Sequence, residues 1–453
     1  MEYRLINGAD NVKVSLENGH KYAARDIKRG EAVIKYGFPI GEATEDIPEG
    51  AHVHTHNMKT GLSGLLEYRY SPDFVFPEPL DAVTVNAYVR KNGGVGIRND
   101  IWIIPTVGCV NGIARKTAEM TGAFCFTHPY GCSQLGDDRD NTIKTLCGLI
   151  KNPNAGGVLV LGLGCENNGI NDFKRVLGDH DPSRIRFINA QDCEDELAEC
   201  ISITEELIKI ASADKRVPVP VSALKLGLKC GGSDGLSGLT ANPLCGQITD
   251  RLVAMGGTAV LTEVPEMFGA EQLLMDRCVS REVFEDTVRL IDRNKNAFIS
   301  LGLPVSENPS PGNREGGITT LEEKSLGCVQ KGGTAPVTAV LDIGETAKTP
   351  GLELLDGPGN DLVAITGLAA AGCQLILFTT GRGTPLGAPV PTIKIATNTA
   401  LAEKKKHWID FDAQKGCAEE LFDLITDTVN GKPTKNEIAG LREIAVLKTG
   451  ATL

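Results

Sequence analysis

Residues 101–111 read Ile-Trp-Ile-Ile-Pro-Thr-Val-Gly-Cys-Val-Asn, an apolar run that ends in a glycine, a cysteine and an amide. Two later apolar runs, Ala123–Thr127 and Val158–Leu163, are each followed by a polar segment that also contains a Gly-Cys pair. Longer stretches such as Leu197–Ile210 have apolar residues at helix spacing. The alternation of short apolar runs and helices is typical of a mostly parallel sheet covered by helices. The sequence therefore predicts an α/β fold for most of the chain.

Residue patterns divide the chain into three predicted domains. The first part has short alternating stretches separated by Gly and Asp or Asn turns, which predicts a small all-β domain. A proline-spaced acidic stretch, Ser71–Pro79, follows and is interpreted as a linker. The α/β pattern begins near residue 83, weakens at the charged stretch Ser212–Pro220, and resumes beyond it. The predicted domains cover residues 1–72, 83–212 and 221–453.

One predicted helix has clear boundaries in the sequence. Pro243 suits the first turn of a helix, and Asn242 immediately before it belongs to the preferred N-cap residues. Gly256 suits the position just past the end. We therefore predict a helix over Pro243–Met255 with Asn242 as its N-cap.

Composition and charge restrict the classes of function. The 453 residues include 58 acidic and 46 basic ones, and the formal net charge of −12 argues against nucleic-acid or anionic-membrane binding. No apolar run reaches the roughly 18–20 residues of a membrane span, and the first residues lack the features of a signal peptide. We expect a cytoplasmic protein, and the sequence leaves a homo-oligomer open. The net charge says little about a small anionic substrate, because a local cluster of donors can override the global field.

Three Gly-Cys pairs form the first candidate site. Cys109, Cys132 and Cys165 each follow an apolar run, and ligands in open α/β sheets bind beyond the carboxyl ends of the strands. Cysteines beside glycine nitrogens and a helix start have a lowered pKa and suit soft metals. The alternative is that these small residues only fill tight turns. No Cys-x-x-Cys spacing supports a closed structural zinc site. We predict all three cysteines as metal ligands.

A histidine-rich segment forms the second candidate site. Three of the seven histidines fall in His52-Val53-His54-Thr55-His56. On a strand over His52–His56 the three imidazoles would share one face, because side chains alternate with a period of two. Imidazole suits iron, zinc or manganese. A solvent-facing polar strand is the alternative. We predict His54 and His56 as metal ligands.

Glycine-rich and polar loops form the third candidate site. Lys229–Gly238 leads into the predicted helix, and free backbone N–H groups at such a position can cradle an anion. Neither the Walker pattern nor the dinucleotide glycine fingerprint is present, which argues against a nucleotide phosphate as the anion and against a nicotinamide oxidoreductase. A carboxylate is at least as suitable an anion. The loops also offer amides, hydroxyls and one arginine, which suit a polyol with a carboxylate. The predicted substrate-binding residues are Gly231, Gly232, Ser233, Asp234, Asn313 and Arg382.

Taken in order along the chain, these and further segments resemble the altronate/galactarate dehydratase family. The segments that carry the resemblance are Val53–Asn57, Trp102–Asn111, His128–Asp138, Gly162–Asn168, Cys230–Gly235, Glu263–Gln272, Asn308–Asn313 and His407–Asp412. The resemblance implies a small N-terminal β-clip (SAF-type) domain followed by mostly parallel α/β domains. It also implies a hydro-lyase of carbohydrate metabolism that dehydrates D-altronate to 2-dehydro-3-deoxy-D-gluconate in hexuronate breakdown, with ferrous iron as the activating metal. Manganese is an alternative metal, and a related aldonate or aldarate such as galactarate is an alternative substrate.

Dehydration of an aldonate requires loss of the C2 proton and of the C3 hydroxyl. A divalent ion can stabilise the negative charge that develops on the carboxylate, and a base near neutral pKa must accept the proton. We predict His128 or Glu166 as this base. The hypothesis places His54 and His56 over the sheet edge that carries the three Gly-Cys turns, so that both groups hold one iron ion.

Two alternatives to this mechanism remain open at the level of sequence. The three predicted cysteine ligands could instead hold an iron–sulfur cluster with an open iron, as in other hydro-lyases. A non-catalytic sugar-acid-binding protein would also explain the glycine-rich loops, although it would not need the histidine segment.

Overall fold

A computed structural model describes residues 2–453 of the protein. In its N-terminal part, short sequences in which apolar and polar residues alternate form strands. Its strands are β1 Tyr3–Arg4, β2 Val12–Ser15, β3 Lys21–Ala23, β4 Ala32–Lys35, β5 Phe38–Ala43, β6 His52–Val53 and β7 Met58–Lys59. They pair antiparallel in two small sheets with the orders β1-β2-β3-β6 and β4-β5-β7. The predicted all-β beginning of the chain is confirmed.

The predicted strand over His52–His56 is wrong beyond Val53. The side chain of Asn57 binds the backbone on both sides of this point: the N–H of His54 donates to its Oδ1 at 2.9 Å, and its Nδ2 donates to the carbonyl of His52 at 2.9 Å. These bonds hold residues 54–57 in a turn. The imidazoles nevertheless stay together, with the ring of His52 stacked 5.4 Å from His54 and 5.7 Å from His56.

The second part is a four-stranded parallel sheet with helices, preceded by two strands of a separate sheet. Its elements are β8 Thr84–Val89, β9 Val95–Gly96, β10 Asp100–Pro105, α1 Asn111–Thr121, β11 Phe124–Cys125, α2 Gly136–Ile150, β12 Ala155–Gly162, α3 Ile170–Leu177, β13 Ile185–Asn189 and α4 Glu196–Ser212. The parallel sheet has the order β11-β10-β12-β13, so the three strands that precede the Gly-Cys pairs are neighbours. Strands β8 and β9 join β14 (Val217–Pro220) in an antiparallel sheet.

The C-terminal part is built on a seven-stranded parallel sheet with the order β17-β18-β16-β15-β19-β20-β21. After β14 its elements are β15 Lys225–Cys230, α5 Ala241–Ala254, β16 Thr258–Leu261, α6 Glu271–Met275, α7 Arg281–Ser300, α8 Pro311–Glu315, α9 Leu321–Cys328, β17 Val337–Leu341, β18 Gly351–Leu355, α10 Asp361–Ala370, β19 Leu375–Thr380, β20 Thr392–Ala396, α11 Thr399–Lys404, β21 Phe411–Asp412, α12 Ala418–Val429 and α13 Lys435–Ile438. The predicted mostly parallel α/β fold is confirmed.

Helix α5 begins two residues before the predicted start. Thr240 is its N-cap, and Asn242 lies inside the first turn, so the prediction of Asn242 as N-cap is wrong. The buried amide of Asn242 instead bridges two other segments: its Nδ2 donates to the carbonyl of Gly327 at 2.9 Å, and its Oδ1 accepts from Thr379 at 2.7 Å. Gly256 follows the helix end with a φ of 85°, a left-handed conformation that favours glycine.

A buried ion cluster docks the N-terminal part on the C-terminal part. The Nζ atoms of Lys21 and Lys35 each lie 2.8 Å from a carboxylate oxygen of Glu323, and all three side chains are buried. Burial alone would raise the pKa of Glu323, but the two ammonium groups outweigh it and lower the pKa to about 2. The hydrophobic core is also continuous between the two parts, since Val12 and Leu226 belong to one cluster of packed residues.

Helices α2 and α10 join the second part to the C-terminal part. Near the end of α2, a Cβ placed on Gly148 would lie 2.5 Å from the carbonyl oxygen of Ala370 at the end of α10. One turn earlier in α2, Thr145 lines the same small cavity as Ala364 and Gly367. The two helices therefore run in the same direction, and the carboxyl edges of the two parallel sheets open on the same side of the molecule. Among the described helices, none is both long enough and apolar enough to span a membrane.

Candidate active site

A polar cavity of about 560 Å³ opens at the carboxyl edge of the seven-stranded sheet. This is the edge at which open α/β sheets bind ligands, and the volume suits a small molecule. Cys230 contributes the end of β15, Asp361 the start of α10, and Lys324 the middle of α9. The other lining residues are Gly231, Gly232, Glu266, Glu307, Asn308, Pro309, Ser310, Pro311, Asn313, Arg314 and Gly359.

Two cysteines and a carboxylate meet beside this cavity. The sulfur atoms of Cys230 and Cys328 lie 3.2 Å apart, and Oε2 of Glu266 is 3.4 Å from the first and 3.2 Å from the second. All three residues are buried. In residues 2–453 this is the one group of three His, Cys, Asp or Glu side chains whose ligand atoms all lie within 4.8 Å of one another. It is the preformed candidate for a metal site.

The contact between the two sulfurs shifts their pKa values in opposite directions. It lowers the pKa of Cys230 and raises the pKa of Cys328. Lys331 also favours the anionic form of Cys230. Cys230 is therefore the more acidic thiol of the pair, and a thiolate is the form of cysteine that binds metals and attacks electrophiles.

Lys324 brings a positive charge to the cavity wall. Its Nζ donates to Oε1 of Glu266 at 2.8 Å, to the side-chain oxygen of Asn308 at 3.1 Å and to that of Asn313 at 3.2 Å. Burial opposes the charged form, but the Glu266 carboxylate outweighs burial and raises the pKa of Lys324. This residue is a fixed cation surrounded by polar groups that can bind hydroxyls.

A second network of charged side chains, centred on the buried Glu263, lies next to Cys230. Glu263 pairs with Lys229 and, at 3.3 Å, with Lys331, while Lys229 also lies 2.8 Å from Asp361. The backbone N–H of Cys230 donates to Glu263 at 3.0 Å, which connects the charge network to Cys230. Glu263 has a φ of 71°, an unusual conformation for a residue with a side chain that occurs most often at functional sites.

Histidines of the N-terminal part lie at the rim of the cavity. Nε2 of His54 donates to the carbonyl of Arg314 at 2.9 Å, and Nε2 of His20 contacts the carbonyl of Glu315 at 3.2 Å. Nδ1 of His20 lies 3.0 Å from Nε2 of His52. His20 could not be predicted from the sequence, because it lies 32 residues before His52 and only the pairing of β3 with β6 brings the two together.

Three of the six predicted substrate-binding residues line the same cavity, and the other three lie near it. Gly231, Gly232 and Asn313 line it directly. Asp234 lies behind the wall, where it accepts hydrogen bonds from Thr397 and other groups, and burial raises its pKa. The remaining two are Ser233, whose carbonyl accepts from Asn313, and the exposed Arg382, whose guanidinium pairs with Glu315 at 3.0 Å. The structure therefore brings these residues together with His54 around α8.

The Gly-Cys turns and the predicted bases lie at the edge of the other parallel sheet. His128 is buried there, with Nε2 2.8 Å from the carbonyl of Pro105 and Nδ1 accepting from the N–H of Tyr130 at 3.2 Å, and burial lowers its pKa. Glu166 accepts hydrogen bonds from Thr106 and from two backbone N–H groups of its own turn, which outweigh burial and lower its pKa. Both side chains use their polar atoms to hold turns.

No described hydrogen bond or ion pair of residues 2–453 joins this edge to the histidine segment. The single chain brings the histidines to the predicted substrate loops, and it holds the Gly-Cys turns elsewhere. The prediction that both groups bind one iron ion would require another chain or a rearrangement.

Comparison with known proteins gives the same family for all three parts of the chain. Residues 6–61 match the family described as Altronate/galactarate dehydratase SAF domain. Residues 87–212 match D-galactarate dehydratase/Altronate hydrolase, second domain, and residues 221–452 match D-galactarate/Altronate dehydratase, C-terminal.

Individual relatives cover nearly the whole chain. The altronate dehydratase of Escherichia coli (strain K12) is 52% identical over 100% of both chains. The altronate dehydratase of Bacillus subtilis (strain 168) is 50% identical over 98% of this chain and 93% of its own. The galactarate dehydratase (L-threo-forming) of Escherichia coli (strain K12) is 32% identical over 92% of this chain and 86% of its own.

Proposed function

The chain belongs to the altronate/galactarate dehydratase family and is a hydro-lyase, and we propose that it converts D-altronate into 2-dehydro-3-deoxy-D-gluconate and water. Both relatives that carry the altronate name are about half identical to it, and the relative that carries the galactarate name is more distant. This difference favours an aldonate with one carboxylate over an aldarate with two.

The observation that carries the proposal is the polar cavity with its fixed cation. Its volume of about 560 Å³ lies in the range of small-molecule sites. A six-carbon sugar acid needs one cationic group for the carboxylate and several amides or hydroxyls for the chain of hydroxyl groups. Lys324, Arg314, Asn308 and Asn313 provide these groups on adjacent walls.

We assign the carboxylate to Lys324 and Arg314. Abstraction of the C2 proton moves negative charge onto the carboxylate, so a positive group fixed beside it stabilises the transition state more than the bound substrate. Lys324 is held by Glu266 and two amides before substrate arrives, which means that it needs no reorganisation. Gly231 and Gly232, as predicted from the sequence, leave backbone close enough to contact the ligand.

The buried thiolate–carboxylate group fits ferrous iron. Cys230, Glu266 and Cys328 offer two sulfurs and an oxygen within one coordination sphere, and the thiolates favour iron over manganese. When bound, a divalent iron ion supplies Lewis-acid stabilisation of the charge that develops on the substrate. Metal binding would take the proton from the Cys328 thiol, because thiolates are the ligands.

The residues predicted from sequence as iron ligands and base remain predictions. His54 lies at the rim of the same cavity as the buried group, so a contribution to substrate binding is compatible with its position, and the ring of His56 lies 5.7 Å from that of His52. To act as the base, His128 or Glu166 would have to release hydrogen bonds that hold turns in this structure. A cytoplasmic location and a homo-oligomeric assembly are likewise predictions.

An anaerobic assay with added Fe(II) tests the proposed reaction. D-altronate, galactarate and other aldonates are supplied separately, and 2-keto acid is measured as the product. We expect the highest kcat/KM with D-altronate. A higher value with galactarate would establish the aldarate alternative. Tight binding of altronate without formation of any 2-keto acid would instead support a non-catalytic sugar-acid-binding protein.

Iron content in single variants tests the ligand assignment. We expect Cys328→Ser and Glu266→Gln to lower iron retained after gel filtration, whereas His54→Ala and His56→Ala retain it. Cys417→Ser is the matched control, because Cys417 is an exposed cysteine outside the cavity. Loss of iron only in the two histidine variants would reverse the assignment.

A further inference from the structure

Three exposed cysteines are concentrated on one edge of the second part. Of the thirteen cysteines, only Cys109, Cys132, Cys165 and Cys417 are exposed, and the first three follow the neighbouring strands β10, β11 and β12. The other cysteines are buried or half-buried in the interior. A thiol at a solvent-facing sheet edge is accessible to a ligand, and three on adjacent turns form a group.

The three turns that carry these cysteines are bound to each other. The N–H of Gly108 donates to the carbonyl of Tyr130 at 2.8 Å, and the N–H of Asn168 donates to the carbonyl of Gly131 at 3.1 Å. Gly131 has a φ of 103°, and a Cβ there would lie 2.1 Å from the carbonyl oxygen of Thr106. Only glycine permits this approach, so the turns form one fixed scaffold.

A side-chain amide with an unused polar atom lies within or directly after each of the three turns. Oδ1 of Asn111, Nε2 of Gln134 and both polar atoms of Asn168 are buried without a partner in the described part of the chain. Gln134 and Asn168 are at most 1% exposed. A buried polar group without a partner costs about 1–3 kcal/mol, so these amides have hydrogen-bonding capacity left for a ligand held by the neighbouring turns.

The three thiols are not preformed as a site for a single ion. Their sulfurs do not all lie within 4.8 Å of one another, a spacing that among residues 2–453 occurs only at Cys230, Glu266 and Cys328. One ion needs all its ligands in one coordination sphere, whereas an iron–sulfur cluster takes each thiolate at a different iron. The cluster also accepts hydrogen bonds at its sulfides, which the free N–H groups of Gln134 and Asn168 can donate.

We propose that Cys109, Cys132 and Cys165 hold an iron–sulfur cluster, with the amides of Gln134 and Asn168 as hydrogen-bond donors to its sulfides. Each thiol gives up its proton and binds one iron as the thiolate. Because three thiolates ligate three irons, a four-iron cluster would keep one iron without a protein ligand. The site is separate from the cavity that binds the sugar acid in the proposed function, so neither proposal depends on the other.

Anaerobic reconstitution of the full-length protein with ferric iron, sulfide and a thiol reductant tests the proposal. Iron and acid-labile sulfide per chain are measured after gel filtration, together with the visible charge-transfer absorption. We expect similar amounts of iron and sulfide in the wild type and in Cys417→Ser. In Cys109→Ser, Cys132→Ser and Cys165→Ser we expect at least a ten-fold lower sulfide content, with unchanged circular dichroism.

Two further variants sharpen the result. Asn168→Leu keeps the side-chain volume and removes both unpartnered atoms, and we expect cluster retention against a chelator to fall about ten-fold or more, as for other groups that support metal ligands. Cys328→Ser should keep its labile sulfide, which separates this site from the cavity. Iron without labile sulfide, or equal sulfide in the three serine variants and the wild type, would refute the proposal. Sulfide is counted without any sugar acid, so failure of the altronate assay leaves this result unaffected.

Discussion

Lys324 is the residue through which the proposed function can be tested most directly. In Lys324→Met the cavity loses its fixed cation, and we expect kcat/KM for altronate to fall on the order of 10²–10³-fold, as for the loss of one group that stabilises an oxyanion. Lys415→Met is the control, because Lys415 forms an exposed pair with Glu403. A variant that keeps full activity would show that the substrate carboxylate lies elsewhere.

Glu323 is the residue that supports the docking of the N-terminal part. Glu323→Gln leaves Lys21 and Lys35 buried without their counter-charge, and we expect a loss of about 3–5 kcal/mol in the free energy of unfolding. In Glu403→Gln, an exposed pair is lost, and the expected change is about 0–1 kcal/mol. Denaturant unfolding of both variants gives the comparison, and similar losses would contradict the assignment.

The same carboxylate predicts a dependence of stability on pH. The pKa of Glu323 is about 2 in the folded protein and 4.5 as its ordinary value. A lowered pKa stabilises the fold fully above the ordinary value, and the contribution is lost as the pH falls from 4.5 toward 2. Wild type should therefore lose its advantage over Glu323→Gln in unfolding experiments across this interval. A constant difference would show that Glu323 is not ionised in the folded state.

Single residues also show what could and could not be predicted from the sequence. Cys109, Cys132 and Cys165 were singled out because each follows a glycine in the polar segment after an apolar run, and their role as ligands stays a prediction. Cys328 and Lys324 were missed because α9 buries its residues on every face, which removes the amphipathic pattern that marks a helix surface. Their partners are also remote: Lys324 contacts Glu266, 58 residues earlier in the chain.

At the scale of elements, the contact between α2 and α10 gives a paired prediction. Gly148→Ala would place a Cβ 2.5 Å from the backbone oxygen of Ala370, so we expect a loss of about 1–3 kcal/mol despite the better helix propensity of alanine. Gly112→Ala in α1 meets no atom within 4 Å and should stabilise the protein by up to about 1 kcal/mol. Thermal unfolding of both variants tests the difference in sign.

Strands and helices were predicted well where apolar and polar residues alternate regularly or where a glycine marks the end of the element. They were predicted less well where a side chain, rather than the backbone, makes the hydrogen bonds that set the boundary. The strand and helix pattern of the parallel sheets follows from the apolar runs. The turn after Val53 depends on the amide of Asn57, and the start of α5 depends on distant contacts of Asn242. An asparagine that binds backbone elsewhere is indistinguishable in sequence from one that caps a helix or lies on a strand.

At the scale of the whole molecule, the extended segment between the first two parts gives a prediction about proteolysis. If the chain is cut there, we expect the two fragments to stay bound to each other. Val75 is 84% exposed and Phe76 is 64% exposed, so a protease site introduced there would be accessible. Because the ion cluster and the continuous core join the parts, the two fragments should elute together in gel filtration. The same cut in Glu323→Gln should release more of the small fragment. Separation of the wild-type fragments would contradict the description of the docking.

The short helix α8 contacts both the cavity and the N-terminal part. One side of it lines the cavity, and its last carbonyls, those of Arg314 and Glu315, are held by His54 and His20. Removal of the first sixty residues would therefore take two imidazole contacts away from the helix that forms this wall. The shape of the sugar-acid site thus depends on the leading module as well as on the sheet that carries the cavity.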